Sequence, residues 1–387
     1  MKTTKLFINF LKDFDKKPFL VKYDGQEYLI GEGKPLFTVK FNKEIPIKDL
    51  MTSTSIALGE GYMRGDIEIE GDLYNALNCF LGQMDDFKTD THSLKNVIFS
   101  STSKKNQKKE VTSHYDIGND FYKLWLDDTL SYSCAYFANE NMTLTEAQES
   151  KIDRILKKLY LKPGMTLLDI GCGWGSLLIT AAKKYGVKGV GITLSNEQYD
   201  AFNKRIQDEG LSDQLSVQLM DYRDLPNKDF SFDRVVSVGM LEHVGRKNYD
   251  LFLSCVNSVL KPEGLFLLHF ISALKEYPGD AWIKKYIFPG GVVPSLREIL
   301  SSCAEYNFYT LDVESLRRHY NKTLLCWDKN FNEHRSAIEE KMGTEFTRMW
   351  DLYLCACAAT FNNGIIDLHQ ILLTKGVNNE LPLTRWY

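Results

Sequence analysis

No two cysteines in this chain stand in a C-x-x-C pair, the spacing that a compact thiolate zinc site needs. The eight present, Cys79, Cys134, Cys172, Cys255, Cys303, Cys326, Cys355 and Cys357, are scattered, and no metal centre is expected. The Met1–Lys17 segment is too polar for a secretory signal, which points to reduced thiols and a cytoplasmic setting. Long apolar runs are also missing. None approaches the ~18 residues that cross a bilayer, and the longest, around Leu265–Leu274, is interrupted by His269 and Ser272. There is no excess of positive charge. With 47 basic and 51 acidic residues the net charge is −4, and without a basic stripe no nucleic-acid partner is expected. Internal repeats are lacking as well.

What remains is an ordinary soluble composition, 44% apolar and 25% charged over 387 residues, long enough for about two or three domains. Ser100–Lys109 contains no apolar residue and cannot join a core. It reads as part of a linker over 100–113, between a small α+β domain at 1–99 and a larger domain at 114–387. In the first, Phe7, Phe10, Leu11 and Phe14 fall at helical spacing, Asp24-Gly25 predicts a hairpin turn, and Phe37, Val39 and Phe41 alternate as a strand does. Leu73–Leu81 reads as a helix. In the second, strands at Thr166–Ile170, Gly189–Ile192, Leu215–Leu219, Arg234–Val238 and Leu265–Phe270 alternate with helices at Ser176–Lys184, Ser195–Glu209 and Asn248–Leu260. This predicts an α/β fold, a largely parallel, doubly wound Rossmann-like sheet with helices on both faces. Ile283–Phe361 reads as mainly helical cover with no role in the sheet.

The stretch Thr166–Gly175, Thr-Leu-Leu-Asp-Ile-Gly-Cys-Gly-Trp-Gly, carries the chemistry. An apolar strand ends in an acid and breaks into Gly171, Gly173 and Gly175, which let the backbone turn sharply against a ligand at a helix start. This G-x-G-x-G spacing is that of S-adenosylmethionine (SAM) methyltransferases rather than the G-x-G-x-x-G of nicotinamide enzymes. No acid stands at the ribose position that a nicotinamide site would place near Thr193. Asp169 either fixes the glycine loop by accepting backbone N–H groups or meets the amino-acid end of SAM; the residues leave both open. Thr193 and Gln198 are candidates for the ribose hydroxyls, although Ser195-x-x-Gln198 is also a helix capping box. Asp221 is placed for the adenine amino group with Tyr222 beside the ring, or is an exposed loop acid.

Several further motifs occur in order. They are His114-Tyr115-Asp116-Ile117-Gly118-Asn119-Asp120-Phe121-Tyr122, Tyr132-Ser133-Cys134-Ala135-Tyr136-Phe137, Asp169–Gly175, Asp221–Leu225, Gly239–Gly245, Tyr286–Gly291 and His319–Trp327. Together they resemble the cyclopropane-fatty-acyl-phospholipid synthases from about residue 114 to the end. Gly59-Glu60-Gly61-Tyr62-Met63 resembles the accessory domain of phospholipid-acting members, which the shorter mycolic-acid enzymes lack. The resemblance implies a soluble enzyme that adds a methylene from SAM across a cis double bond of a phospholipid acyl chain, with bound bicarbonate as general base. It implies that Cys134, Glu242, His269, Tyr320 and the Ile271 backbone hold the bicarbonate. It further implies that Tyr132, Ser133, Gly171, Gly173, Thr193, Leu194, Gln198, Tyr222 and Val238 contact SAM, and that Cys357 matches a cysteine described as active. A homodimer working on the inner face of the membrane is the expected setting. A SAM-dependent N-methyltransferase of a small amine is the alternative.

An alkene attacking a sulfonium methyl leaves a carbocation, which must be shielded from water while a base removes a proton. Aromatic faces stabilise cations without reacting, and Phe121, Tyr122, Tyr136, Phe137, Phe270 and Tyr286 supply them. Phe121, Tyr122 and Trp125 also read as a helical core stripe. Each polar residue has a plainer reading too: His269 as a core histidine, Cys134 as a small hydrophobe, Glu242 as a loop brace, His243 as structural. For membrane contact, Phe7, Phe10, Leu11 and Phe14 with Lys2, Lys5, Lys12, Lys16 and Lys17 suit an interfacial helix, and packing on the small domain explains them equally. Lys104, Lys105, Lys108 and Lys109 would add attraction to an anionic surface or be simply solvated.

Overall fold

The structure, a computed structural model, describes residues 8, 9, 11–83, 118–385 and 387. Phe7, Phe10, Lys2, Lys5, the linker at 100–113 with its four lysines, and His114–Ile117 lie outside the described residues. Two compact units are present. The first combines the N-terminal residues with Gly279–Pro289 and Leu324–Ile365. The second holds the chain from Gly118 to Pro278 with Gly290–Thr323 and Ile366–Tyr387.

In the first unit, β1 (Phe19–Tyr23), β2 (Gln26–Ile30), β3 (Thr38–Phe41) and β4 (Ile67–Glu70) form a sheet in the order β2-β1-β3-β4. The hairpin turn falls at Asp24-Gly25, where φ angles of 52° and 73° match the strand twist. Alternate residues Phe19, Val21, Val39 and Phe41 point into one core, and the Phe19, Phe37 and Phe80 rings contact one another. The helix Leu73–Leu81 is capped by Asp72, whose carboxylate accepts the Asn75 N–H at 2.6 Å. Leu11 and Phe14 are buried in this same core. The packing reading therefore holds for those two side chains, which are not available to a membrane. The mostly buried helix Thr344–Asn362 completes the unit.

The second unit contains seven strands: β5 (Thr166–Ile170), β6 (Lys188–Thr193), β7 (Leu215–Leu219), β8 (Phe232–Val238), β9 (Leu260–Ser272), β10 (Phe308–Ser315) and β11 (Asp367–Lys375). Their order is β10-β11-β9-β8-β5-β6-β7. The run from β7 to β9 is parallel throughout, whereas β11 pairs antiparallel with both β9 and β10. Both faces of the parallel part are covered, so the strands are nearly continuous in apolar residues. Leu167, Val236, Leu265 and Leu267 face one core, and Leu168, Ile170, Val235, Phe266 and Leu268 the other. The chain winds outward from β5 to β6 and β7, then crosses back to β8 on the far side. That reversal opens a crevice beyond the carboxyl ends of β5 and β8.

One expectation fails. Ile283–Phe361 contains β10, and β11 follows it, so this part of the chain does have a role in the sheet. The reason is physical. β10 is an edge strand with Tyr309 and Val313 exposed, and β11 buries polar Gln370 and Thr374 among its apolar residues. Neither carries a clean two-residue alternation.

The glycine turn positions the crevice. Gly171, Gly173 and Gly175 take φ angles of 83°, 55° and 85°, and Gly175 caps the helix Ser176–Tyr185 in the left-handed conformation. A Cβ on Gly175 would lie 2.0 Å from the Phe202 ring. Gly175→Ala is expected to cost about 2–4 kcal/mol in backbone strain and overpacking. Scanning calorimetry should show a thermal midpoint several degrees lower; an unchanged midpoint would mean that the loop relaxes freely.

Candidate active site

Burial at the carboxyl edge of the sheet decides the chemistry there. A cavity opens beyond β5, β6 and β8, and every residue expected to contact SAM lines it: Tyr132, Ser133, Asp169, Gly171, Gly173, Thr193, Leu194, Gln198, Asp221, Tyr222 and Val238. Thr193 Oγ1 donates to Gln198 Oε1 at 2.9 Å. Ser195 Oγ accepts the Gln198 N–H at 3.3 Å, but the Ser195 N–H goes to Thr193 Oγ1 at 3.2 Å. The Gln198 side chain therefore does not close a capping box and is turned toward Thr193 and the cavity. Asp221 is buried rather than an exposed loop acid. Its carboxylate accepts the Arg223 N–H at 2.9 Å and the guanidinium at 2.8 and 2.6 Å. Tyr222 packs edge-on against Phe252, with centroids 5.3 Å apart.

Asp169 ends β5 with its Oδ1 buried and lacking a hydrogen-bond partner. Burial lifts its carboxyl to about 7, with the Lys151 ammonium pulling the other way. The helix Leu144–Lys158 also organises the loop across the cavity. Gln148 Nε2 donates to the Ser131 and Ser133 carbonyls at 3.2 and 2.8 Å, and Lys151 Nζ donates to Ser133 Oγ at 3.0 Å. Asp127 accepts from Thr129 and Ser131 in the same loop. Phe121, Tyr122 and Trp125 are buried and in mutual ring contact, as the core-stripe reading expects. Through Tyr122 they brace Tyr132 and Trp174 at the cavity edge, each 5.6 Å away between centroids.

A second polar group gathers around β9. Glu242 Oε1 accepts the Ile271 N–H at 2.6 Å, while its Oε2 is buried without a partner. The Ile271 amide, expected to face the bicarbonate, has its hydrogen on Glu242 in the structure. Burial lifts the Glu242 carboxyl to about 7, with the Ile271 N–H opposing the shift. His269 lies two residues before Ile271, on the same face of β9. Gln370 Nε2, on the paired strand β11, lies 3.1 Å from His269 Nδ1. With that amide donating, the ring proton sits on Nε2, which is buried and has no partner. Burial also holds His269 neutral by pushing its pKa well below the usual value, with nearby Lys151 adding to the shift.

Cys134 and Tyr320 are joined through another element. Cys134 Sγ donates to the Ala135 carbonyl at 3.2 Å and lies 3.8 Å from the Leu316 carbonyl, which also accepts the Tyr320 N–H. The helix Arg317–Glu333, which carries Tyr320, also receives the Ala135 N–H on Thr323 Oγ1 at 3.0 Å and the Phe137 N–H on His319 Nδ1 at 3.1 Å. Tyr136 stacks on His319. Burial pushes the Cys134 thiol far up. Cys357 belongs to the first unit, on the helix Thr344–Asn362, and burial near Asp280 pushes its thiol up to about 12. It is not a ready nucleophile at neutral pH.

Lys151, Trp174 and Met240 line the cavity but were not among the expected residues, and His243, read as structural, lines it too with its pKa lowered to about 4 by burial. Lys151 did leave a signal in the sequence. It sits four residues from both Ala147 and Ile155, on the face that the helix buries.

The family model for mycolic acid cyclopropane synthetase matches residues 102–371, and a domain of unknown function matches residues 6–92. A probable fatty acid methyltransferase of Pseudomonas putida is 38% identical over 373 residues, covering 94% of this chain and 94% of that protein. The cyclopropane-fatty-acyl-phospholipid synthase of Escherichia coli K12 is 40% identical over 344 residues, 87% of this chain and 88% of that one. Among solved structures, the cyclopropane synthase MmaA2 from Mycobacterium tuberculosis superposes with a TM-score of 0.66 at 36% identity, over 69% of this chain and 98% of its own. A related mycolic acid cyclopropane synthase, CmaA1, solved with S-adenosylhomocysteine (SAH) and CTAB, has the same TM-score and identity over the same shares.

Glu242 holds its proton more tightly in the folded chain than in the unfolded one. Its contribution to stability is complete below about pH 4, falls as pH rises and is gone above about pH 7. Glu242→Gln carries no such proton. Its stability is expected to gain on the parent's between about pH 4 and about pH 7, by up to about 3 kcal/mol. Thermal denaturation across that range reads the gap, and a gap independent of pH would contradict the raised carboxyl.

Proposed function

The chain belongs to the cyclopropane-fatty-acyl-phospholipid synthase family of SAM-dependent methyltransferases, and we propose that its catalytic base is a bicarbonate held beside β9. It is an enzyme that uses SAM to build a cyclopropane ring into a fatty acyl chain. The cofactor cavity fits SAM on this structure's own terms: an open glycine turn, a buried Asp169 oxygen with no partner, and a half-apolar wall at Tyr222 and Val238. Bound there, SAM supplies an electrophilic methyl. Thr193 and Gln198 hold the ribose side, Tyr222 flanks the ring, and Asp221, fixed by Arg223, shapes the adenine end.

The observation that carries the proposal is the pair of buried polar atoms near β9 with nothing to bond, Glu242 Oε2 and His269 Nε2. One accepts a hydrogen and the other donates one, and bicarbonate, with an O–H and an anionic oxygen, matches both. Leaving either atom unpaired in the interior costs about 1–3 kcal/mol, which a bound ion of that shape recovers. The bicarbonate supplies a small proton acceptor. Glu242 orients it and raises its basicity, His269 donates from Nε2, and Tyr320 and Cys134 belong to the same proposed site. Because Ile271 is bonded to Glu242, its amide positions that carboxylate rather than the ion.

The substrate read from the relatives is the acyl chain of a phospholipid, reached at the membrane surface on the cytoplasmic side. Among the described residues no helix is long and apolar enough to cross a membrane. A homodimer, and a division into an accessory domain at 1–99, a linker at 100–113 and a catalytic domain at 114–387, belong to the same proposal.

Mass spectrometry of vesicles carrying cis-unsaturated phospholipid, after incubation with SAM and bicarbonate, tests the reading. One methylene per chain should be gained and the double bond lost, and stripping bicarbonate should slow turnover. Glu242→Gln and His269→Ala are expected to lower turnover roughly 10²–10⁴-fold while SAM affinity survives. Loss of SAM affinity in step with activity would sink this division of labour, and methylation of added amines with lipid untouched would favour the N-methyltransferase. Cys357→Ala is expected to keep most of the activity, and its abolition would restore a thiol mechanism.

A further inference from the structure

We propose that Lys151 receives the α-carboxylate of SAM, and that Asp169, on the same cavity, receives its α-ammonium. The inference rests on the reading of this cavity as the SAM site.

Lys151 is 4% exposed, in the middle of the helix Leu144–Lys158 and on its buried side. Placing an ammonium there is costly unless something of opposite charge meets it. Asp127 is the strongest electrostatic neighbour, ahead of Cys134 and Asp169. Yet Asp127 accepts from Thr129 and Ser131, and among the described residues no carboxylate lies within 4.0 Å of the lysine nitrogen. Of its three N–H donors, one is used, on Ser133 Oγ at 3.0 Å.

Asp169 shows the opposite excess. It is 3% exposed, and its Oδ1 has no hydrogen-bond partner. Both side chains line one cavity. A buried cation with spare donors and a buried anion with a spare acceptor, apart from each other but facing the same space, are complementary to a zwitterion. The amino-acid end of SAM is such a group. The rest of the lining suits the nucleoside, because Thr193, Gln198, Asp221 and Tyr222 lie beyond the ends of β6 and β7 instead. Ser133 then acts alongside the lysine, since its hydroxyl, held by Lys151, can turn its own hydrogen toward the same carboxylate.

A purely structural lysine that props the Ser131–Ser133 loop is the competing explanation, and the two differ in one respect. Only a carboxylate receptor distinguishes ligands by whether they carry the carboxylate. The test is calorimetric titration of the full-length protein with SAH and with S-adenosyl-3-thiopropylamine, which lacks only that group. The parent protein should bind SAH roughly 100-fold more tightly. In Lys151→Gln the ratio should fall to near one, chiefly through weaker SAH binding, while affinity for the amine is kept. Lys151→Arg, which retains the charge, should keep part of the preference.

Equal affinity of the parent for both ligands would overturn the inference without any variant, even if Lys151→Gln did not fold. An unchanged ratio in folded Lys151→Gln, or an equal loss for both ligands, would make Lys151 a scaffold residue. Failure of the parent to bind SAH at all would instead overturn the cofactor reading itself.

Discussion

Five parallel strands covered on both faces leave polar side chains one outlet, the carboxyl edge of the sheet, and there they sit with little water. That shortage sets the behaviour of the whole edge. Asp169 and Glu242 are both lifted to about 7, His269 and His243 are held neutral, and Lys151 is lowered to about 8 by burial against the pull of Asp127. Groups pushed this far toward neutrality at a ligand-binding edge are the usual mark of a working site. Here the mark is divided between two strand ends, β5 and β9, with β8 between them.

The division has a chemical logic. On the proposed reading, Lys151 and Asp169 at the β5 end would meet the two charges of the amino-acid end of SAM, and Glu242 and His269 near β9 would meet the much smaller bicarbonate. Ile271 donates to Glu242, and Gln370 on the antiparallel strand β11 lies 3.1 Å from His269 Nδ1. The strand β11, which lies outside the parallel run but adds Ile371, Leu372 and Leu373 to the two cores, thus also meets a side chain of the proposed site.

The motif Gly59–Met63 finds its explanation inside the first unit. A Cβ on Gly59 would lie 2.4 Å from the Trp282 ring, Glu60 accepts from Lys285 and the Tyr286 hydroxyl, Tyr62 donates to Asp351, and Met63 Sδ accepts from Trp282 Nε1. The Arg348 guanidinium lies 4.2 Å over the Tyr62 ring. This short motif thus pins segments more than 200 positions away in the chain. Tyr286, expected as one of the cation-shielding aromatics, is held by Glu60 in this cluster.

Much of this was legible in the residues themselves. The glycine turn, the alternation of strands and helices, the Asp24-Gly25 hairpin and the helix Leu73–Leu81 are local, because backbone conformation and burial period act over a few residues. The cofactor-cavity residues were reached through motif and resemblance. What the sequence could not reveal depended on partners far along the chain. The strands β10 and β11 have weak alternation; β11 forms because β9 offers an edge to pair with, and β10 because β11 then offers the next. Whether Gln198 served a cap or the cavity was decided by Thr193 taking the Ser195 amide. Which group takes the Ile271 amide was decided by where Glu242 came to rest, and Lys151 reached the cavity and the Ser133 hydroxyl only in the folded chain. Local order is written in neighbouring residues, whereas hydrogen-bond satisfaction and desolvation belong to the assembled interior, and only the tertiary structure could assign them.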